Sequence, residues 1–575
     1  MILDTIDWAI IIAFFIVSLV IGILVSRQSS KDVSNFFLSG RNMPWWLLGV
    51  SMVATTFAAD TPNFVAGVIR EDGVYGNWIW WSFLLTGMLT VFFYAKLWRK
   101  SGITTDLEFY ELRYEGKSAA FLRGFRAIYL GVFFNIIIMA NVCLAAIKIG
   151  HVMFGFSEGQ TLIIASMVTV TYSMLGGLRG VLITDFIQFI IAMVGSIWAA
   201  VHITNLPQVG GLSAMLRNDL VQSKTAMFPD FTNMEILIPL LIIPLAVQWW
   251  SVWYPGAEPG GGGYIAQRML AAKNEKHATA ATLFFNVAHY ALRPWPWIII
   301  GLASLIMYPS LESLRAAFPE LNPNFVKNDL SYPAMLTFLP AGLLGIVVTS
   351  LIAAFMSTIS THLNWGSSYV VNDFYVRFIN PKASEKAKVG IGRVATLLMM
   401  ICAGLLALIL EEARDAFNLL LQIGAGTGLL FILRWFWHRI NPYSEITAML
   451  VSFLIAILFF INDKQEIPWI SIAGHWQLVL GVVITTISWI VVSLLTTPIS
   501  RQKRDEFNAL IFDGKSKFKH IGAKVISFFC GVIGVYCLLF GTGYYLYSSY
   551  AYAWISLTIS GLCAYIIYRL WNKII

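Results

Sequence analysis

Long apolar runs broken by short polar punctuation make up most of this chain, and many of the runs are long enough to cross a bilayer. A helix rising 1.5 Å per residue needs about 20 residues to span a hydrocarbon core of about 30 Å. Fifteen such windows can be drawn: 7–26, 44–69, 77–98, 124–153, 160–175, 181–203, 235–254, 282–307, 334–372, 391–410, 416–433, 446–461, 476–497, 525–548 and 551–570. The first is flanked by Asp4 and Asp7 before it and by Arg27 and Lys31 after it, the reverse of a signal peptide's charge order. It therefore reads as an uncleaved span with its N-terminus outside. Lys and Arg gather in the alternate loops on the inner side of that arrangement, which puts the C-terminus inside.

Two windows are interrupted in the same manner, five spans apart. The span from Pro44 carries Ala58-Ala59-Asp60-Thr61-Pro62 at its middle, and the span from Glu235 runs into Tyr254-Pro255-Gly256-Ala257-Glu258-Pro259 and four glycines, Gly260 to Gly263. Proline removes a backbone donor and glycine lowers helix preference, so both helices are expected to unwind there and leave carbonyls free. At membrane depth, free carbonyls are tolerated where they line a cavity or hold an ion. Paired broken segments in corresponding positions of two halves point to a transporter with its site at the centre. The second break is also compatible with glycines that open a cytoplasmic loop.

One apolar window carries a hydroxyl face. Ala354, Ser357, Thr358 and Thr361 follow the i, i+3, i+4, i+7 spacing of a single helical side, and Ser360 lies beside them. An unsatisfied hydroxyl in hydrocarbon costs a few kcal/mol, so such a face calls for partners. A row of oxygens beside a small residue suits a partly dehydrated hard cation such as sodium; packing against neighbouring helices or bonds to i−4 carbonyls is the other reading.

Composition fixes the class. The 575 residues are 58% hydrophobic and only 12% charged, which excludes a soluble domain and leaves a polytopic membrane protein. The net charge of +8 sits in short loops, so it does not indicate nucleic acid; the largest basic cluster, Arg501, Lys503, Arg504, Lys515, Lys517, Lys519 and Lys524, suits an orientation signal or a lipid-headgroup contact. Four cations, Lys96, Arg126, Lys148 and Arg293, fall inside spans. The five cysteines lie in apolar runs without paired spacing and read as core residues.

Several separated motifs converge on a resemblance. Gly176-Gly177-Leu178-Arg179-Gly180-Val181 with Thr184-Asp185 and Gln188, then Gln267-Arg268-Met269-Leu270-Ala271-Ala272-Lys273, then Ala353 to Asn364 with Asp373 and Arg393, resemble the sodium:solute symporter family of sodium-coupled sugar, proline, sialate and vitamin carriers. The resemblance covers about residues 1 to 500. It implies an all-α LeuT-type core of two inverted five-helix repeats: an extra span and loop at 1–43, a first repeat at 44–203, a second at 235–433 and extra spans at 434–575. It implies a first sodium site built from the carbonyls of Ala54, Phe57 and Ala354 and the hydroxyls of Ser357 and Thr358. A second sodium site, found in some members, would use Asp185, Ser357, Ser360 and Thr361. An ionised carboxylate within a span needs a cation or proton beside it, so Asp185 is a functional candidate; a salt bridge to Arg179 is the structural alternative.

Solute candidates lie beside the two breaks: Thr56, Asp60, Thr61, Trp80, Trp81, Gln248, Trp249, Trp250 and Trp253. Aromatic faces suit sugar rings and also serve as gates or as packing. Gln248 resembles the amide that family sugar carriers place on the second broken helix, whereas Thr61 stands where those carriers have glutamine, and 255–263 looks like an insertion. Arg293 can clamp a carboxylate bidentately or snorkel to the inner interface. The sequence thus predicts a sodium-driven symporter for a small organic solute, sugar-like or carboxylate, working by alternating access in a plasma membrane. Its expected partners are the solute, one or two sodium ions and the lipid bilayer, with no sign of an obligate protein partner. Proton coupling through Asp185 and an ion channel are the rival readings. An enzyme is disfavoured, since no HExxH, GxSxG or P-loop motif occurs in sensible context.

Overall fold

The computed structural model describes residues 3–29, 37–56, 58–251, 258–410, 413–463, 465, 471–514 and 520–575. Phe57 and Trp253 of the expected sites lie outside the described residues, as do Tyr254 to Ala257, Lys515, Lys517 and Lys519. Among the described residues the fold is helical throughout, with one isolated β-bridge between Met43 and Ala272.

The chain begins with α1 (Thr5–Ser29) and continues through two half-helices, α2 (Trp45–Thr55) and α3 (Asp60–Glu71). Then come α4 (Val74–Ser101), α5 (Gly116–Phe154) and α6 (Glu158–Thr204). A second interrupted pair follows, α7 (Met234–Trp250) and α8 (Gly263–Ala271). After it stand α9 (Glu275–Met307), α10 (Leu343–Ile379), α11 (Glu385–Ala407), α12 (Ala413–Gly424) and α13 (Gly428–Leu433). The chain closes with α14 (Pro442–Asp463), α15 (Gly474–Leu495), the short amphipathic α16 (Arg501–Phe512) and a terminal hairpin of α17 (Ile521–Leu546) and α18 (Tyr550–Ile574).

Among the described residues, eleven helices are long and apolar enough to cross a membrane, and the half-helices α2 and α7 are shorter apolar segments. Windows 44–69 and 235–254 thus drop out of the fifteen as interrupted helices, and two further differences account for the rest. Windows 160–175 and 181–203 are joined in α6, a single helix of 47 residues, about 70 Å if straight. Glycine lowers helix preference by about 1 kcal/mol without forbidding the helix, and the segment between these windows has no proline to break it. Window 416–433 is instead split between α12 and α13, where Gly426 takes a φ of 80° that other residues rarely adopt.

The first break also falls earlier than the proline suggests. α2 ends at Thr55 and α3 starts at Asp60, so Pro62 occupies the first turn of α3, where a missing N–H costs nothing. The second break opens after Val247, passes through a tight turn at Gln248–Trp250, and closes at Gly263. Its glycines do not begin an exposed loop. Residues 258 to 264 are buried and lead into α8, every residue of which is buried except Ile265. Elsewhere α2 crosses α9 with Gly49 against the Ala281 carbonyl, closer than any side chain would permit.

The cations expected inside spans are held by specific partners. The Lys148 ammonium on α5 donates to both carboxylate oxygens of Asp329, at 2.8 and 2.7 Å, in the connection before α10. Arg126 on α5 pairs with Glu258 in the second break, and its guanidinium lies over the rings of Tyr110 and Phe431. Lys96 donates to the Ile575 main-chain oxygen. Of the cysteines, Cys143 and Cys563 are buried while Cys402 is exposed, so the reading of all five as core residues fails at Cys402.

Removing one partner of a buried ion pair strands the other charge, which typically costs about 3–5 kcal/mol, whereas apolar replacement of both is often close to neutral. Lys148→Met alone should therefore lower the thermal unfolding midpoint in detergent sharply, and Lys148→Met with Asp329→Leu should recover most of the loss. Equal midpoints for the single and double variants would show that the pair carries no such constraint.

Candidate functional site

The site forms where both interrupted helices meet α4, α6, α9 and α10. Helix α2 stops at Thr55, so its last carbonyls lack intrahelical donors and need other partners. Three side chains supply them. Thr358 on α10 donates its hydroxyl to the Thr55 carbonyl at 2.9 Å. The Thr56 hydroxyl turns back onto the Met52 and Val53 carbonyls at 3.0 Å, and Arg293 on α9 donates to the Val53 carbonyl at 3.2 Å.

The hydroxyl face predicted on α10 is real and wholly buried: Ala354, Ser357, Thr358 and Thr361 are each no more than 3% exposed. Its members point to different helices. Ser357 donates to Asp185 Oδ1 on α6 at 2.5 Å, and Ser51 on α2 donates to Asp185 Oδ2 at 2.5 Å. Thr361 and Thr55 stand hydroxyl to hydroxyl at 3.3 Å. Ser360 bonds the Ser357 carbonyl of its own helix at 3.1 Å, so the structure does not bring its hydroxyl to Asp185. The carbonyl that Thr358 reaches is that of Thr55, one residue beyond Ala54.

The cation nearest this carboxylate network is Arg268, not Arg179. Arg268 is fully buried on α8 and donates to Ser51 at 3.3 Å, to Thr55 at 3.3 Å and to Thr361 at 2.9 Å, while its ring-facing side lies over Tyr264. Ser51 thereby links the guanidinium to Asp185. Arg268 belongs to a quoted motif, yet nothing in its local sequence says that it reaches across to α2 and α10.

The second cluster lies at the same break, on the α9 side. The last turns of α9 before Pro294 widen into a π-helical segment, Ala288–Leu292, which sets His289 and Tyr290 with ring centroids 4.5 Å apart. Pro294 and Pro296 both lack an N–H, and this local widening is the usual accommodation. Trp80 on α4 stacks on Tyr290 at 5.9 Å and meets His289 edge-on at 5.8 Å. Thr56 Oγ1 lies 3.0 Å from His289 Nδ1, and Arg293 rests over Trp297. Asp60 starts α3 and accepts from Asn141 at 2.8 Å; its other carboxylate oxygen is buried with no hydrogen-bond partner. Asp60 and Thr61 are only half-buried. A small cavity of about 50 Å³ lies between α4, α9 and the second break, lined by Tyr290, Asn286, Tyr264 and Glu258.

Of the solute candidates, Thr56, Trp80 and Arg293 therefore share one cluster, and Asp60 and Thr61 open the half-helix that follows it. The other described candidates turn mainly to different partners, although Trp81 also meets Trp80 edge-on at 6.1 Å. Trp81 packs against Trp78 and Phe540, in contact with the terminal hairpin. Gln248 donates to the Ile79 carbonyl, and Trp249 offers its carbonyl to Thr86. Trp250 packs with Ile243, Ala425, Leu478 and Val482. Arg293 is 2% exposed and does not snorkel to an interface. His289, Tyr290, Asn141 and Ser51 join the site without any signal beyond being polar groups inside apolar windows.

Comparison with known proteins agrees with this geometry. The sodium:solute symporter family profile matches residues 36–452. The chain is 24% identical over 471 residues to a sodium/glucose cotransporter of Vibrio parahaemolyticus, covering 79% of this chain and 85% of that one. It is 24% identical to sodium/glucose cotransporter 1 of Oryctolagus cuniculus, with 86% and 79% covered, and 25% identical to the same animal's sodium/myo-inositol cotransporter 2, with 86% and 77% covered. Among solved structures, a Na⁺-coupled sialic acid symporter in a substrate-bound outward-open state superposes with a TM-score of 0.65 at 20% identity, covering 87% of this chain and 99% of that one. The fold is accordingly of the LeuT type, sodium is the coupling ion, and the chain belongs to the sodium:solute symporter family.

Proposed function

We propose that this symporter imports a small polyhydroxylated solute, sugar-like and neutral, bound beside Trp80, Thr56 and His289, with sodium held between the end of α2 and the hydroxyl face of α10. The observation that carries the reading is the direct bond from Thr358 to the last carbonyl of α2: an oxygen-only junction between a broken helix and an unbroken one. Oxygen ligands of this kind suit a hard cation. Ser357, Thr358, the Ala354 carbonyl and the Ala54 and Thr55 carbonyls supply the set.

The solute assignment is supported by the ring faces and hydroxyl partners of the second cluster. A flat Trp80 face backed by Tyr290 suits the apolar side of a sugar ring, and Thr56, His289 and the Asp60–Asn141 pair offer donors and acceptors to its hydroxyls. Two of the relatives, a sodium/glucose and a sodium/myo-inositol cotransporter, point the same way. A carboxylate solute has one observation in its favour, the buried Arg293 guanidinium; that group, however, already serves the Val53 carbonyl. The two-repeat division at 44–203 and 235–433, the outside N-terminus and the plasma membrane complete the reading.

Coupling number follows from Asp185. One sodium entering at about 100 mV contributes about 2.3 kcal/mol, and a tenfold gradient adds about 1.4. A single ion thus concentrates a neutral solute several hundredfold, and two ions about 10⁵-fold. Arg268 lies in the network where the second ion would bind, so Asp185 already has a cation within two hydrogen bonds. A second site there uses Asp185, Ser357 and Thr361 with Ser51, and Ser360 only after its hydroxyl turns.

In proteoliposomes, Ser357→Ala and Thr358→Ala should each raise the sodium concentration for half-maximal uptake at least tenfold; undiminished uptake in sodium-free buffer would defeat the sodium assignment and favour protons. Asp185→Asn should lower the sodium Hill coefficient from near two toward one if both ions bind, and a wild-type value already near one leaves only the first site. For the solute, sodium-dependent thermal stabilisation should appear with sugars or polyols and disappear in Trp80→Ala. Stabilisation by sugar acids or amino acids alone, lost in Arg293→Gln, would select the carboxylate reading.

A further inference from the structure

A cavity of about 310 Å³ opens between α1, α5, α6 and α10, and its inner end reaches Ala59 in the first break. Sites for small ligands fall in the range of about 300–1,000 Å³. No charged side chain lines it. Of its two threonines, Thr161 donates its hydroxyl to the Ser157 carbonyl at 3.1 Å and Thr169 is fully buried; the remaining wall is aliphatic and aromatic. Cavities of this kind stay dry and take apolar ligands.

The lining has a direction. It starts within a turn of one end of the bundle, at Trp8 near the start of α1, Thr161 near the start of α6 and Phe154 at the end of α5; the rings of Trp8 and Phe154 stand 5.5 Å apart there. At 1.5 Å per residue, its innermost residues on these helices, Phe15, Thr169 and Ala146, lie about 12–17 Å from those ends, and Met356 lies about 20 Å into α10. Half of a hydrocarbon core is about 15 Å, so the cavity runs from one membrane face to near the midplane, the depth of a single leaflet. It also opens sideways. Ile164 lines it and is 47% exposed, and Ile163 and Met167 on α6 and Ile12 and Ile16 on α1 are more exposed still. On helices that cross a membrane, such an apolar rim faces the acyl layer.

We infer that this cavity holds one acyl chain of a phospholipid from the leaflet at which α1 begins, entering past Ile164 and ending against the first break. A chain end leaves no hydrogen-bonding atom stranded on this wall, and it restores the dispersion contacts that an empty cavity forfeits. Its inner contacts belong to the transport machinery. Ala59 lies between α2 and α3, and Phe355 and Met356 directly precede Ser357 on α10. An occupant there leaves Ala59 and Phe355 no room to move toward α1, so a lipid chain bears on the break whose carbonyl Thr358 caps.

The test uses the full chain in nanodiscs of phosphatidylcholine carrying a small fraction of a phosphatidylcholine with a photoactivatable diazirine near the end of one acyl chain, read by peptide mass spectrometry after illumination. Label should concentrate in peptides containing Ala59 or Phe355 and Met356, which are buried and out of reach of lipid on the exposed helix faces. Ala165→Phe, which fills the cavity, should lower that label about tenfold, as expected when about two methylenes no longer fit. Ala551→Phe, on the exposed face of α18, should leave it unchanged. If Ala165→Phe does not fold, Ala146→Leu, a smaller filler on α5, is read in the same way. Three results would overturn the inference: label confined to exposed faces, buried label that survives the filling variant, or buried label from a diazirine fatty acid with none from the phospholipid probe, which marks a site for free fatty acid.

Discussion

A helix that ends inside a membrane must find partners for its last carbonyls, and in this symporter the end of α2 organises everything around it. Lipid offers no donors at that depth, and in this structure side chains supply them. They arrive from two separate helices: a threonine of α10 and an arginine of α9, with Thr56 turning back on itself. Each donor brings its neighbours. With Thr358 comes Ser357, which reaches Asp185; with Arg293 come His289 and Tyr290, which build the aromatic cluster around Trp80. The ion side and the solute side of the site are therefore two answers to one unsatisfied helix end.

The buried cations follow a related logic at the second break. Arg126 fastens Glu258 within the break, and Arg268 on the half-helix after it reaches the hydroxyls of α2 and α10. A segment rich in glycine has little side-chain packing of its own. Here its position is set by charge-assisted bonds at both ends, which are directional and roughly twice as strong as neutral ones. Gly260 and Gly261, with φ near 86° and 96°, allow the backbone to turn between these two anchors.

Much of this was readable from residue types. The spacing of Ala354, Ser357, Thr358 and Thr361 identified a buried polar face because helical periodicity is a local property. Asp60 and Pro62 marked the first break to within a turn, and Asp185 stood out because a carboxylate in an apolar run has few excuses. What the sequence withheld depends on long-range contact. Arg268 replaces Arg179 as the cation near Asp185 because the half-helix that follows the second break reaches the hydroxyls of α2 and α10. Ser360 looked equivalent to Ser357, but its hydroxyl stays on its own helix. The tryptophans divided by tertiary position: Trp80 entered the cluster while Trp81, one residue on and about 100° around the helix, went to the terminal hairpin. The fused α6 reflects a choice between turn and helix that three glycines leave finely balanced.

Ser357 and Thr358 are adjacent, yet one bonds a carboxylate on α6 and the other a carbonyl on α2. Two neighbouring residues on a rigid rod cannot be displaced independently, so any tilt of α10 that loosens one bond loosens the other. The pair behaves as a conjunction: α10 is seated only when both α2 and α6 are within reach, and withdrawal of either is felt at both. A transporter that must not leak needs such a logical AND between its moving parts, and here it is written in two consecutive hydroxyls.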